Sequence, residues 1–132
     1  MTGQMPVDIP GMWLRRAQSD LRLGEIALNT PDVMLEDACF HAQQCAEKSL
    51  KGVLSYLNIP FPRTHAIDVL LDLLNNSGVV IPDKIDEAFA LTQYAVQTRY
   101  PGEWEPVDKD EAVRAIKLAS EVKNWAEEKL NR

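Results

Sequence analysis

Ala38-Cys39-Phe40-His41-Ala42-Gln43-Gln44-Cys45-Ala46-Glu47-Lys48-Ser49-Leu50-Lys51-Gly52-Val53-Leu54 is the stretch that decides the fold. Ala38, Cys39, Ala42, Ala46, Leu50, Val53, Leu54 and then Leu57 return at helical spacing and form an apolar stripe. His41, Gln44, Lys48, Lys51 and Ser55 form a polar stripe nearly opposite. The pattern predicts a long amphipathic helix over about residues 35–58. Asn58-Ile59-Pro60 stops it, because a residue before proline avoids helical angles.

Upstream, Trp13, Ala17, Leu21, Gly24 and Leu28 fall within an arc of roughly 80° on a first helix. Arg15, Arg16, Gln18, Ser19, Arg22 and Glu25 take its other face, and Asn29-Thr30-Pro31 ends it. Residues 1–10 hold Pro6 and Pro10 and no period, so they read as a loose tail before a single helical domain over 11–132. Downstream, Pro60-Phe61-Pro62-Arg63 is a stiff loop. A third helix is expected to start near Thr64 or His65, either serving as its cap, with Ile67, Leu70, Leu71 and Leu74 inside. Asn75-Asn76-Ser77-Gly78 ends it. Val79-Val80-Ile81 has strand composition but no partner strand, so it reads as an apolar connector plugging the core. Pro82 is placed to open a fourth helix with Ile85, Ala88, Phe89 and Val96 inward and Thr92 among them. After a turn at Thr98–Gly102, Asp108 and Glu111 form a capping box opening a fifth. Its face is Ala112, Ala115, Ile116, Ala119, Val122, Ala126 and Leu130. The fold class is all-α: an antiparallel four-helix up-and-down bundle with an additional short helix.

The whole-chain numbers narrow the function. At 132 residues and 45% apolar, the chain makes one domain with one core. Acids outnumber bases 20 to 14, a net charge of −6, which excludes a polycation that coats nucleic acid or an anionic membrane. Any phosphate site must be a local patch. No apolar run reaches the ~18 residues of a membrane span, and no basic segment leads into an apolar one as in a signal peptide. Two cysteines are too few for a disulfide framework. The expectation is a reduced, cytoplasmic protein without a membrane association.

Three groups carry possible chemistry. His41, Gln44, Lys48 and Lys51 stack along one helix face, where two ammonium groups beside an imidazole could hold a phosphate. The plainer reading is the solvated side of a bundle helix. Gln43 and Glu47 lie towards the edge of the apolar arc, where a polar group needs a partner across a helix or subunit contact. Arg63-Thr64-His65 precedes a helix start, a place that favours anions; Arg63 could clamp a phosphate and His65 donate to it or move a proton. The alternative is a cap with a surface arginine. Arg99-Tyr100 suits a phosphate contact with stacking on a base, or a turn locked to the bundle. His41 and Cys45 are helical neighbours, yet nothing resembling an oxyanion hole is near. Cys39 and Cys45 lie about 240° apart, too far around the helix to share a metal. Trp104 and Trp125 read as packing or interface residues.

The run Phe40 to Lys51, with Arg63-Thr64-His65 and Thr98-Arg99-Tyr100-Pro101, resembles the HEPN family, nucleotide-binding domains of higher eukaryotes and prokaryotes. The likeness takes in Trp13, Ala17, Leu21 and the Glu111-Ala112 helix, about residues 12–130. It implies a four-helix bundle, a homodimer and, in many small prokaryotic members, a minimal nucleotidyltransferase partner. Some members are metal-independent ribonuclease toxins, with a histidine four to six residues after an arginine. Here a single residue separates Arg63 from His65, and no histidine follows Arg99. The resemblance therefore implies binding: a nucleotide- or polynucleotide-binding module using His41, Gln44, Lys48, Lys51, Arg63, His65, Arg99 and Tyr100, with neither cofactor nor metal. The alternatives are a ribonuclease toxin with Arg63 and His65 as a shortened catalytic pair, and a scaffold that recruits a protein.

Overall fold

The computed structural model describes residues 7–96, 102 and 105–132. Among these residues, five α-helices run in the order α1 (Ile9–Asn29), α2 (Leu35–Tyr56), α3 (Ile67–Asn76), α4 (Asp83–Asp86) and α5 (Lys109–Leu130), with a 3₁₀ helix (Glu87–Tyr94) between the last two. No strand occurs among the described residues, and the fold is an all-helical bundle. Three helices are long; α3 and the α4–3₁₀ run complete the bundle.

α2 is the centre. It packs against α1, α5, α3 and the 3₁₀ helix. Ala38, Cys39, Ala42, Cys45, Ala46, Leu50, Val53 and Leu54 are fully buried. With neighbours on so many sides, the polar stripe expected to face solvent is largely covered. Lys51 is buried, and His41, Gln44 and Lys48 are half-buried. Leu57, expected in the apolar stripe, lies past the helix end and is exposed. At Gly24 the first helix comes very close: a methyl there would stand 2.6 Å from Ile116 Cδ1 and 3.3 Å from the Ala38 carbonyl.

The ends differ from the sequence reading in physically clear ways. α1 begins at Ile9, inside the stretch read as a tail, because the Asp8 carboxylate accepts from Gly11 N at 3.1 Å and Pro10 fits a first turn. Asp8 also pairs with Arg132 at 2.6 Å. α3 starts at Ile67 rather than near Thr64 or His65. Its first N–H donates to Thr92 Oγ1 of the 3₁₀ helix at 3.1 Å, and Thr64 Oγ1 accepts from Ala66 N at 3.0 Å. Val79 and Ile81 pack on the core as a connector, while Val80 is exposed.

The expected fourth helix is a single α-turn running into 3₁₀ geometry. Its inward residues are Ile85, Ala88, Leu91 and Tyr94, which repeat every third position, the 3₁₀ period. Phe89 and Val96, expected inside, are instead exposed. Asp108 caps α5 through Glu111 N at 2.8 Å. Glu111 does not complete the box, because its carboxylate accepts from the Tyr94 hydroxyl and so ties the 3₁₀ helix to α5.

Candidate functional site

Gln43, Glu47 and Lys51 stand four residues apart and therefore in line along α2. Opposite them is the loop from Pro60 to Ala66. A carboxylate buried there survives only if its oxygens are satisfied, and Glu47, 3% exposed, is satisfied at both. Oε2 accepts from Lys51 Nζ at 2.8 Å. Oε1 takes His65 Nδ1 at 2.9 Å and Gln43 Nε2 at 3.0 Å. Gln43 Nε2 also donates to the His65 carbonyl at 3.0 Å, and Gln44 Nε2 donates to Gln43 Oε1 at 2.6 Å. The Lys51 ammonium sits 5.5 Å from the Trp13 ring centre and 5.9 Å from that of Phe61, an aromatic cover that replaces water. Burial pushes the Glu47 carboxyl up, but the hydrogen bonds from Lys51, Gln43 and His65 and the Lys51 charge outweigh it and hold the group below its ordinary value.

The outcome is an ionised carboxylate that orients an imidazole. Facing a carboxylate, His65 Nδ1 carries a proton, so Nε2 is the atom left for a ligand. The His65 side chain is 70% exposed while its anchor is buried. Arg63, on the same loop, is exposed and makes no ion pair among the described residues.

His41 and Lys48 belong to a second cluster. Asp20, on α1, is buried and accepts from Lys48 Nζ at 2.5 Å on Oδ2, with His41 Nδ1 at 2.9 Å from Oδ1. The candidate stripe thus divides in two. Lys51 joins His65 through Glu47, whereas His41 and Lys48 face α1 through Asp20. Both lysines are already matched by a carboxylate, so neither offers an open charge to a phosphate. Gln44 Nε2 is engaged by Gln43 Oε1. Arg99 and Tyr100, like Thr98, Pro101 and Trp104, lie outside the described residues. Trp125 is buried under the Lys129 ammonium, a packing role.

Asp20, Trp13 and Phe61 are partners of these cations that the sequence reading leaves out. For Asp20 the signal was present: an acid beside Ala17, Leu21 and Gly24 sits on the border of an apolar arc. Cys45 is fully buried with Sγ 3.8 Å from the Ala119 carbonyl, and burial raises its thiol to about 12, so it is no nucleophile. Among the described residues no group of three or more His, Cys, Asp or Glu could hold a metal ion, and no helix is long and apolar enough to cross a membrane.

The family model described as HEPN domain matches residues 11–129. A Methanocaldococcus jannaschii protein named "Putative toxin MJ1304" is 28% identical over 131 aligned residues, covering 84% of this chain and 81% of its own. Two crystal structures are similar. TT1696 from Thermus thermophilus is 32% identical with a TM-score of 0.76, over 93% of this chain and 99% of its own. ST0689, described as an archaeal HEPN homologue, is 30% identical with a TM-score of 0.71, over 89% and 94%.

Proposed function

The chain belongs to the HEPN domain family, and from that premise we propose that it binds the phosphate of a nucleotide or polynucleotide at the Arg63–His65 loop. One observation carries the reading: an exposed imidazole is fixed by a buried, ionised carboxylate that is itself fixed by Lys51 and Gln43. Such support fixes the ring through Nδ1 and leaves Nε2 as the ring nitrogen for an anion's oxygen. Arg63 adds a guanidinium suited to two phosphate oxygens. Gln43, Gln44, Glu47 and Lys51 act from behind as positioning residues. The module is proposed to work as a homodimer with a nucleotidyltransferase partner, and with neither cofactor nor metal.

The test is titration of the full chain with ATP and with a short single-stranded RNA at two salt concentrations. Binding that weakens with salt, and falls at least tenfold in Arg63→Ala and His65→Ala, supports the reading. Absence of binding at low salt, or wild-type affinity in both variants, rejects it.

A second reading is a metal-independent ribonuclease toxin, favoured by the name of the M. jannaschii relative and by the same Glu47–His65 pair. His65 would move the proton and Arg63 stabilise charge on the reacting phosphate. Incubation with total RNA in chelator separates the two. Cleavage lost in His65→Ala favours the toxin, and intact RNA at high protein concentration leaves binding alone.

A further inference from the structure

The exposed side of α1 repeats a heptad. Met12, Arg16, Ser19, Leu23 and Ile26 stand four, three, four and three residues apart, the spacing by which two helices pack along a shared seam. All five are exposed, and the opposite side of α1 packs on α2 and α5. Met12, Leu23 and Ile26 are 38%, 45% and 44% exposed, so a line of aliphatic surface stays uncovered away from the core. With Ser19 it lies within an arc of about 60°. Arg15 and Arg22, seven residues apart, border that arc on one side, and Arg16 borders it on the other. This face uses no residue of the Glu47–His65 site.

The three arginines are exposed, and none makes an ion pair among the described residues. No acid of α1 is exposed to answer them. Asp20 is buried and engaged by His41 and Lys48, and Glu25 is half-buried on the side of Arg22 away from the seam. On the Arg15 side, Asp8 and Glu127 are engaged by Arg132 and Lys123. A chain of net charge −6 thus carries an uncompensated positive face. The chemistry of that face selects its occupant. Nucleic acid would meet the arginines but leave the aliphatic line uncovered, with no aromatic ring in it for a base to stack on. A membrane surface would meet Arg16 and Ser19 in the middle of the apolar line, which leaves too little to insert. A second copy is a poor match: symmetric pairing along this seam has only arginines, the occupied Asp20 and Ala27 to set against Arg15 and Arg22. A helix of a different protein, apolar along one stripe and acidic on both flanks, meets every group.

We infer that the outer face of α1 docks an acidic amphipathic helix of a partner protein, with Met12, Leu23 and Ile26 covered by its apolar stripe and Arg15, Arg16 and Arg22 paired with its flanking carboxylates. The probe is a fluorescein-labelled three-heptad peptide with leucine at a and d and glutamate at e and g, whose like charges keep it from pairing with itself. Its twin carries lysine at e and g. Fluorescence anisotropy with the full chain should show saturable binding of the glutamate peptide that weakens with salt, and at least tenfold weaker binding of the lysine peptide. Arg15→Glu/Arg22→Glu should reverse that preference, and the gain of lysine-peptide binding shows that the variant is folded. Leu23→Ser/Ile26→Ser should weaken the glutamate peptide at least tenfold with an unchanged thermal melt, since both side chains are exposed. Absence of glutamate-peptide binding at low salt, equal affinity for the two peptides, or wild-type affinity in the variants overturns the inference. So does binding of single-stranded RNA or of phosphatidylserine vesicles that Arg15→Glu/Arg22→Glu abolishes and Arg63→Ala spares. A dimer in sedimentation that the same charge reversal splits overturns it in favour of a second copy.

Discussion

Replacing Lys51 by methionine removes the ammonium partner of a buried carboxylate and keeps most of the side-chain volume. Glu47 and Lys51 are 3% and 8% exposed, so solvent does little to screen the pair. Breaking a buried pair by deleting one partner costs about 3–5 kcal/mol, because the remaining charge stays desolvated. Gln43 and His65 still hold Oε1, which points to the lower end, about 3 kcal/mol. With a urea slope of ~2 kcal/mol/M, the unfolding midpoint at pH 7 should fall by about 1.5 M. The partner variant Glu47→Gln/Lys51→Met leaves no orphan charge and should recover much of the loss, a coupling visible in a double-mutant cycle. The acid limb gives a second readout. A carboxyl whose folded pKa is depressed contributes stability present above its unfolded value and lost as pH falls through the folded one. Lys51→Met relieves that depression, so the contribution should be smaller and its loss should be complete at a higher pH than in the wild type. A midpoint shift below about 0.3 M would mean that the pair behaves like a surface salt bridge, and the argument from burial would fail.

Three further outcomes are expected. Leu50→Ala, at a fully buried position on α2, should cost about 2–5 kcal/mol in chemical denaturation. Cys45 should stay unreactive to Ellman's reagent at pH 8 in the native protein and react once urea unfolds it, since its thiol is buried with a pKa of about 12. Asp8 is held below its ordinary value by its hydrogen bond from Arg132 first and then by the one from Gly11 N, so its share of stability is lost as pH drops through that lowered value; Arg132→Ala should move the Asp8 titration, followed by NMR, upward.

Helical periodicity made the bodies of α1, α2, α3 and α5 legible, with their apolar faces. It also marked Gln43 and Glu47, because a polar residue on the border of an apolar arc must find a partner. What it could not show is how many neighbours a helix has. Lys51 looked like part of a solvated stripe because that inference assumes one open side, and α2 has little of one along this stretch. The partners of its cations come from segments far away in sequence, Asp20 on α1 and His65 on the loop before α3, which no local pattern links. The fourth helix failed for a different reason. Ile85, Ala88, Leu91 and Tyr94 carried a period of three in plain view, but three and four alternate in any α-helical reading, and a short segment does not separate them. That Arg63 and His65 share one loop was readable because it is local.

The contact between Asp8 and Arg132 brings the start of α1 and the end of α5 side by side. A permuted gene that joins residue 132 to residue 8 by a short spacer and opens the chain between α1 and α2, at Thr30–Met34, would leave every described helix uncut. New termini would then emerge at that opening, offering attachment points for a dye or a tether while the Arg63–His65 loop keeps its covalent surroundings.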